Sequence, residues 1–254
     1  MALGALQGPA ELLPVSSSGH LVLVPALLGW RYGELDAELR KSFEVALHAG
    51  TAFALLIGLR REVDEAVHDL DAARVVRHAL EFLPAGLVAL ALERRIEERL
   101  GSARGVALAQ VGAGLLLGLA DRAPAERRDA GALDALAIGV AQAAALAPGV
   151  SRNGATLTAA RLLRFERPAA NRLSRHAALP IILAATGLKG FRLARRGMAR
   201  EVAGPFAAGA LASFASTLAA TRLVRAMDEA PSYLPFAAYR VVLGAAGLAI
   251  LRRR

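Results

Sequence analysis

Residues 202–221 read V-A-G-P-F-A-A-G-A-L-A-S-F-A-S-T-L-A-A-T, 20 positions without one charged side chain. A helix of that length rises about 30 Å, the thickness of a bilayer's hydrocarbon core. Its small residues, Gly204, Gly209, Ala212, Ser213 and Ser216, let helices approach closely in lipid. The stretch therefore reads as a membrane-spanning helix. Outward from it lie further apolar stretches, each shorter or interrupted: 12–30 with His20, 45–59 with His48, 82–92, 105–120, 135–151, 177–188, and 230–251 carrying Arg240.

Composition agrees with this reading. Hydrophobic residues make up 55% of the 254 and mean hydropathy is +0.41, which excludes a disordered, collagenous or disulfide-scaffold chain. With no cysteine, there is no thiolate metal site and no cysteine nucleophile. A soluble Ala-rich bundle is the rival, since 21% of residues are charged. Such a bundle needs a polar face on each helix, yet 105–120 and 202–221 are apolar or small all round.

The 31 basic residues exceed the 22 acidic ones, a formal charge of +9. Nucleic acid is not the partner this implies. The arginines punctuate the apolar stretches, at 60–61, 94–95, 127–128, 195–196 and 252–254, and form no single stripe interleaved with aromatics. Loops beside an anionic bilayer fit that spacing. The N-terminus has neither a basic region nor a small-residue cleavage site, so no signal peptide is expected, and Met1 runs almost directly into the first motif.

A shift of 135 positions lays Gly4, Gln7, Val15, Ser16 and Gly19 on Gly139, Gln142, Val150, Ser151 and Gly154, without a gap. It also lays Ala49 and Thr51 on Ala184 and Thr186. Two homologous halves follow, about 1–122 and 131–254, within one integral membrane domain. Repeated halves of membrane proteins commonly pair with opposite topology around broken helices. Each half here has such a break, L-P-V-S-S-S-G-H at 13–20 and P-G-V-S-R-N-G at 148–154. Irregular backbone at membrane depth must face protein or a wet cavity, which makes these loops the candidate polar site. The expected fold is all-α and polytopic, with two inverted repeats and paired re-entrant helix-loop-helix segments.

Gln7 and Glu11 lie one helical turn apart and can address one ligand. Ser16, Ser17, Ser18 and His20 follow. A serine near a histidine has the pairing that nucleophilic catalysis requires, and a carboxylate beside them can orient the imidazole or hold a divalent cation. Taken singly, a serine there is an ordinary helix cap. Polar groups crowded into a segment that must be kept from lipid point to function instead. The second loop adds Arg152, whose planar fork suits phosphate oxygens, the hydroxyls of Ser151 and Thr156, and a turn from Gly149 to Gly154 that can aim backbone N–H groups at an anion.

Q-G-P-A-E-L-L-P-V-S-S-S-G-H (7–20) and P-G-V-S-R-N-G-A-T (148–156) resemble the two signature motifs of the undecaprenyl-diphosphate phosphatase family, the bacitracin-resistance type of membrane enzyme. Phe43-Glu44-Val45 and P-F-A-A-Y-R (235–240) extend the resemblance over nearly the whole chain. It implies a multi-pass protein of the bacterial plasma (inner) membrane with inverted repeats and re-entrant segments. Its reaction would be hydrolysis of a polyprenyl diphosphate to the monophosphate and phosphate with a divalent cation, Mg²⁺ or Ca²⁺, recycling the lipid carrier of cell-wall synthesis. By motif match Ser17 is the nucleophile, His20 its base and Glu11 an acid/base or metal carboxylate with Gln7 beside it. Arg152, Ser151, Thr156, Gly149 and Gly154 bind phosphate with Ser16 and Ser18. The resemblance leaves a homodimer open. The alternative is a lipid or small-anion transporter that uses the same repeats without chemistry. Three departures from the family pattern stand out: Gln7 for a first Glu, Asn153 for a common Ser, and Arg175 with His176 where the pattern is apolar.

Overall fold

The computed structural model describes residues 1–61, 63–64, 71–196 and 200–252; Arg253 and Arg254 of the terminal arginine run lie outside the described residues. The described chain is helical: α1 Ala2–Leu12, α2 Ser17–Leu27, α3 Ala37–Gly58, α4 Ala72–Leu100, α5 Ala103–Ala120, α6 Ala132–Ala144, α7 Arg152–Leu162, α8 Arg167–Arg196, α9 Arg200–Ala220, α10 Arg222–Asp228 and α11 Leu234–Leu251. Capping explains many of the starts. Ser16, Asp36, Asp71, Ser102 and Ser151 each accept a bond from a backbone N–H in the first turn of α2, α3, α4, α5 and α7.

Among the described residues, four helices are long and apolar enough to cross a membrane: α4, α5, the 201–220 part of α9, and α11. Leu90, Leu115, Leu116, Leu119, Leu211 and Val242 on these helices are exposed, the outermost of them 75%. In water such a surface would drive association, so the chain is a membrane protein and the soluble bundle is set aside. The stretch 202–221 is one unbroken helix, α9. The stretches 12–30 and 135–151 are instead interrupted at the two loops, leaving α2 and α6 with 11 and 13 residues. Helices that short span about half of a hydrocarbon core.

Helices α2 and α7 both begin and end 135 positions apart. Helix α1 packs against α9 and α6 packs against α4, while α5 and α11 pack on one another. Small residues make these contacts: a Cβ on Gly8 would overlap the Thr217 backbone, and one on Gly139 would overlap the Leu80 carbonyl. Ser216 Oγ donates to the Gly4 carbonyl and accepts from the Gly8 N–H, which completes the α1–α9 seam.

Candidate active site

The two loops meet in the interior, and one side chain bonds both. Arg240, on α11 and fully buried, donates from Nη1 to the Pro14 carbonyl (3.3 Å) and from Nη2 to those of Gly149 (3.0 Å) and Val150 (2.6 Å). Its Nε donates to Gln110 Oε1 at 3.1 Å, and Gln110 Nε2 donates to the Val15 carbonyl at 2.9 Å. Broken helices leave carbonyls unpaired, and a guanidinium with five donors satisfies several at once.

Ser16 and Ser151, the residues after those carbonyls, have φ of 72° and 71°, a left-handed backbone that side chains rarely adopt. Each turns the chain into its helix and caps it, through Gly19 N and Gly154 N. The glycines follow from the clamp. A Cβ on Gly19 would sit 2.6 Å from Gln110 Nε2, and one on Gly154 would overlap Arg240 Nη1. The repeated V-S-x-x-G is thus the sequence of a strained cap beside a buried clamp.

The loops also bond to each other. Gly149 N–H donates to Ser18 Oγ at 3.2 Å, and Asn153 Nδ2 donates to the Leu12 carbonyl at 2.7 Å. Ser174 on α8 donates to Asn153 Oδ1 at 2.8 Å.

At their junction Glu11 is the hub. Ser17 Oγ donates to its Oε2 at 2.7 Å, Gln7 Nε2 reaches the same oxygen at 3.5 Å, and Arg152 Nη2 lies 3.9 Å from Oε1. His48 on α3 donates from Nδ1 to the Glu44 carbonyl and turns Nε2 toward Glu11 at 4.0 Å. Glu11, Arg152 and Asn153 line a small pocket with one apolar wall, Leu55, Leu59, Ala178 and Ile182 from α3, the turn after it and α8.

The Ser17–His20 pair expected from the sequence is not made. His20 donates from Nδ1 to the Ser16 carbonyl at 2.7 Å, which leaves Nε2 to accept from Tyr239 at 2.7 Å. The two rings also stack, with centroids 5.6 Å apart. The remaining expected residues divide by position. Arg152 lines the pocket. Ser16, Ser151 and Gly154 form the caps, and Ser18 with Gly149 joins the loops. Thr156, fully buried, bonds the carbonyls of Arg152 and Asn153 and the Ser174 hydroxyl beneath the first turn of α7.

Sequence reasoning gave no role to Arg240, Tyr239, Gln110 or His48. A charge or amide inside an apolar stretch was the available signal for Arg240 and Gln110. His48, which interrupts the stretch 45–59, and Tyr239, in the 235–240 run, carried signals of the same kind, but their partners Glu11 and His20 come from distant segments.

A polytopic helical membrane protein that sets a carboxylate-bound serine hydroxyl against a half-buried arginine, at the junction of two broken helices, belongs to the class built to act on an anionic lipid headgroup. Residues 1–246 match the family described as Bacitracin resistance protein BacA, and the chain belongs to that family. It is 40% identical to the undecaprenyl-diphosphatase of Geobacter sulfurreducens, over 99% of this chain and 97% of that protein. It is 38% identical to that of Pelobacter propionicus (99% and 96%) and 39% identical to that of Chromohalobacter salexigens (96% and 95%). The family resemblance read from the motifs is thereby borne out.

Proposed function

We propose that the chain is an undecaprenyl-diphosphate phosphatase of the bacterial plasma membrane, which removes the terminal phosphate and returns the lipid monophosphate to cell-wall synthesis. The observation that carries this reading is the 2.7 Å bond from Ser17 Oγ to Glu11 Oε2, with Arg152 on the carboxylate's other oxygen. Glu11 takes the Ser17 proton as Oγ attacks the terminal phosphorus. The bridging P–O bond breaks, and the proton passes from Glu11 to the departing lipid phosphate. Water then attacks the phosphoserine and gives a proton to Glu11, which returns it to Ser17 Oγ as the Oγ–P bond breaks and phosphate leaves. Arg152 stabilises the charge that spreads over the transferred group's oxygens. His20 positions Ser17 by holding the Ser16 carbonyl, and Tyr239 fixes the ring.

The residues fit a weakly held Mg²⁺ or Ca²⁺. Gln7 turns its Nε2 to Glu11 and leaves Oε1 buried without a partner, and with the Glu11 carboxylate and the Ser17 hydroxyl bonded to it the side chains offer oxygen donors to a hard cation. When bound, the cation neutralises charge on the diphosphate. The 135-position correspondence of α2 and α7, and their short lengths, support inverted repeats with two re-entrant segments. A transporter reading has no need of a serine bonded to a carboxylate.

The test is phosphate release by the purified protein from undecaprenyl diphosphate. Release from wild type, lost in Ser17→Ala, is the expected result. Full release in Ser17→Ala removes the covalent step and leaves attack by water, and none from wild type overturns the reading.

A further inference from the structure

We propose that Arg175 is a second phosphate-binding residue, which holds the phosphoryl group that stays on the lipid. The proposal rests on the diphosphatase reading, because it assigns one half of the diphosphate. Arg175 stands where the family pattern is apolar, and it lines the same pocket as Glu11, Arg152 and Asn153. Two of the chain's departures, Asn153 and Arg175, therefore meet at the pocket, and the third, Gln7, bonds its Glu11.

Three observations point from Arg175 to an anion. Its Nε is buried with no hydrogen-bond partner, as is the Nε of Arg152 in the same pocket. Buried N–H donors are nearly always satisfied, so two unpartnered guanidinium donors around one pocket fit a ligand with two acceptor groups. Second, Asp228 grips the far edge of the guanidinium, taking Nη1 at 2.7 Å and Nη2 at 3.1 Å. That end-on grip fixes the plane and leaves Nε–H for a ligand, so the donor is oriented before binding and the ion pair need not break.

The third observation decides which phosphate. Arg175, Ala178 and Ile182 are spaced three and four apart on α8 and all face the pocket, so the guanidinium adjoins the apolar wall. Ser17, bonded to Glu11 with Arg152 on the carboxylate's other oxygen, is the group that attacks the terminal phosphorus, which leaves the inner phosphate to the remaining guanidinium. A prenyl diphosphate lying with its hydrocarbon against Leu55, Leu59 and Ile182 presents the phosphate next to the chain to Arg175, and the terminal one to Arg152 and Ser17.

The experiment measures direct binding of a non-hydrolysable methylene analogue of the prenyl diphosphate, with inhibition by prenyl monophosphate and by inorganic phosphate, in wild type and Arg175→Met. The expected result is about a ten- to hundredfold loss of affinity for the analogue and for prenyl monophosphate, the range for one hydrogen bond to a charged group. Inhibition by inorganic phosphate, which takes the Arg152 end, keeps its wild-type value. Arg175→Lys stays impaired, since a lysine paired with Asp228 offers no second fixed donor. Should Arg175→Met fail to fold, Arg175→Met/Asp228→Asn leaves no charge unpaired and carries the same measurements. Unchanged affinity for both lipid ligands, or an equal loss for inorganic phosphate, overturns the proposal. Arg175-dependent binding in a wild-type protein that releases no phosphate would sink the diphosphatase reading and leave Arg175 as an anion-binding residue.

Discussion

Ser17 and Glu11 share one proton, and groups that act as such a unit lose their function together. Ser17→Ala and Glu11→Gln are each expected to abolish phosphate release, and the double variant to be little worse than either, which single-turnover assays on all three proteins measure. Arg152→Lys is expected to cost about 10²-fold in rate, because a point charge cannot replace a fork of donors on the transferred phosphate. Wild-type turnover in that variant removes Arg152 from the chemistry. For the cation, Gln7→Glu adds a second carboxylate one turn from Glu11 and is expected to lower the half-saturating Mg²⁺ concentration in a titration of phosphate release. These residues were legible as a set, since polar groups in an apolar segment announce themselves. Their pairing was not. Three positions apart, Ser17 and His20 look like partners, but helical side chains lean toward the N-terminus, and His20 falls back on the Ser16 carbonyl in the preceding turn. Ser17, at the first position of α2, instead reaches across the break to Glu11.

Among the elements, α9 was legible almost to its ends, 202–221 from sequence against Arg200–Ala220. The reason is physical: a lipid-facing helix needs no polar face, so its signal is a continuous run. Helices α3 and α8 extend well beyond the apolar stretches read from sequence, because Glu38, Arg40, Lys41 and Glu44 of α3, and Arg167, Arg172 and Arg175 of α8, fall in turns outside them. The repeated loops were legible as a motif, while the clamp that explains their glycines required Arg240 and Gln110 from α11 and α5. Gly19→Ala places a methyl against Gln110, and Gly154→Ala places one against Arg240. Each is expected to destabilise by about 1–3 kcal/mol, the usual cost of overpacking, and to lower the melting temperature in detergent. Alanine at Gly204, where a Cβ meets no neighbouring atom, is the matched control, and equal melting temperatures for all three variants would show that the glycines do not serve the clamp.

At the scale of the whole molecule, Asp121 joins elements that no local sequence signal connects. It follows α5, is buried, and accepts from Arg167 Nε (2.8 Å), Ser232 Oγ (2.7 Å) and the Tyr233 N–H (2.8 Å), with Arg161 Nε 3.6 Å away. Burial opposes its ionisation, but the bonds from Arg167, Ser232 and Tyr233 outweigh burial and hold its pKa below the usual carboxylate value. A lowered pKa in the folded state gives stability that is complete above the unfolded value, about 3.9, and is lost as pH falls through the folded one. The melting temperature is therefore expected to drop on acidification below about pH 4. Asp121→Asn should be less stable at neutral pH and flatter across that acid range, and an identical acid dependence in both proteins would place the effect on another group. Asp121→Ala, which leaves Arg161 buried without its carboxylate, is expected to cost about 3–5 kcal/mol.

The Arg240 clamp has a consequence for traffic through the molecule. Both loops share the Arg240 guanidinium and also bond to one another through Ser18 and Asn153, so drawing them apart would strand several carbonyls and a cation together. The reacting centre is in that respect a fixed anvil. Substrate arriving and product leaving must be accommodated at the apolar wall of Leu55, Leu59 and Ile182, whose side chains are held only by packing against Leu12 and Val224, while Ser17, Glu11 and Arg152 keep their places.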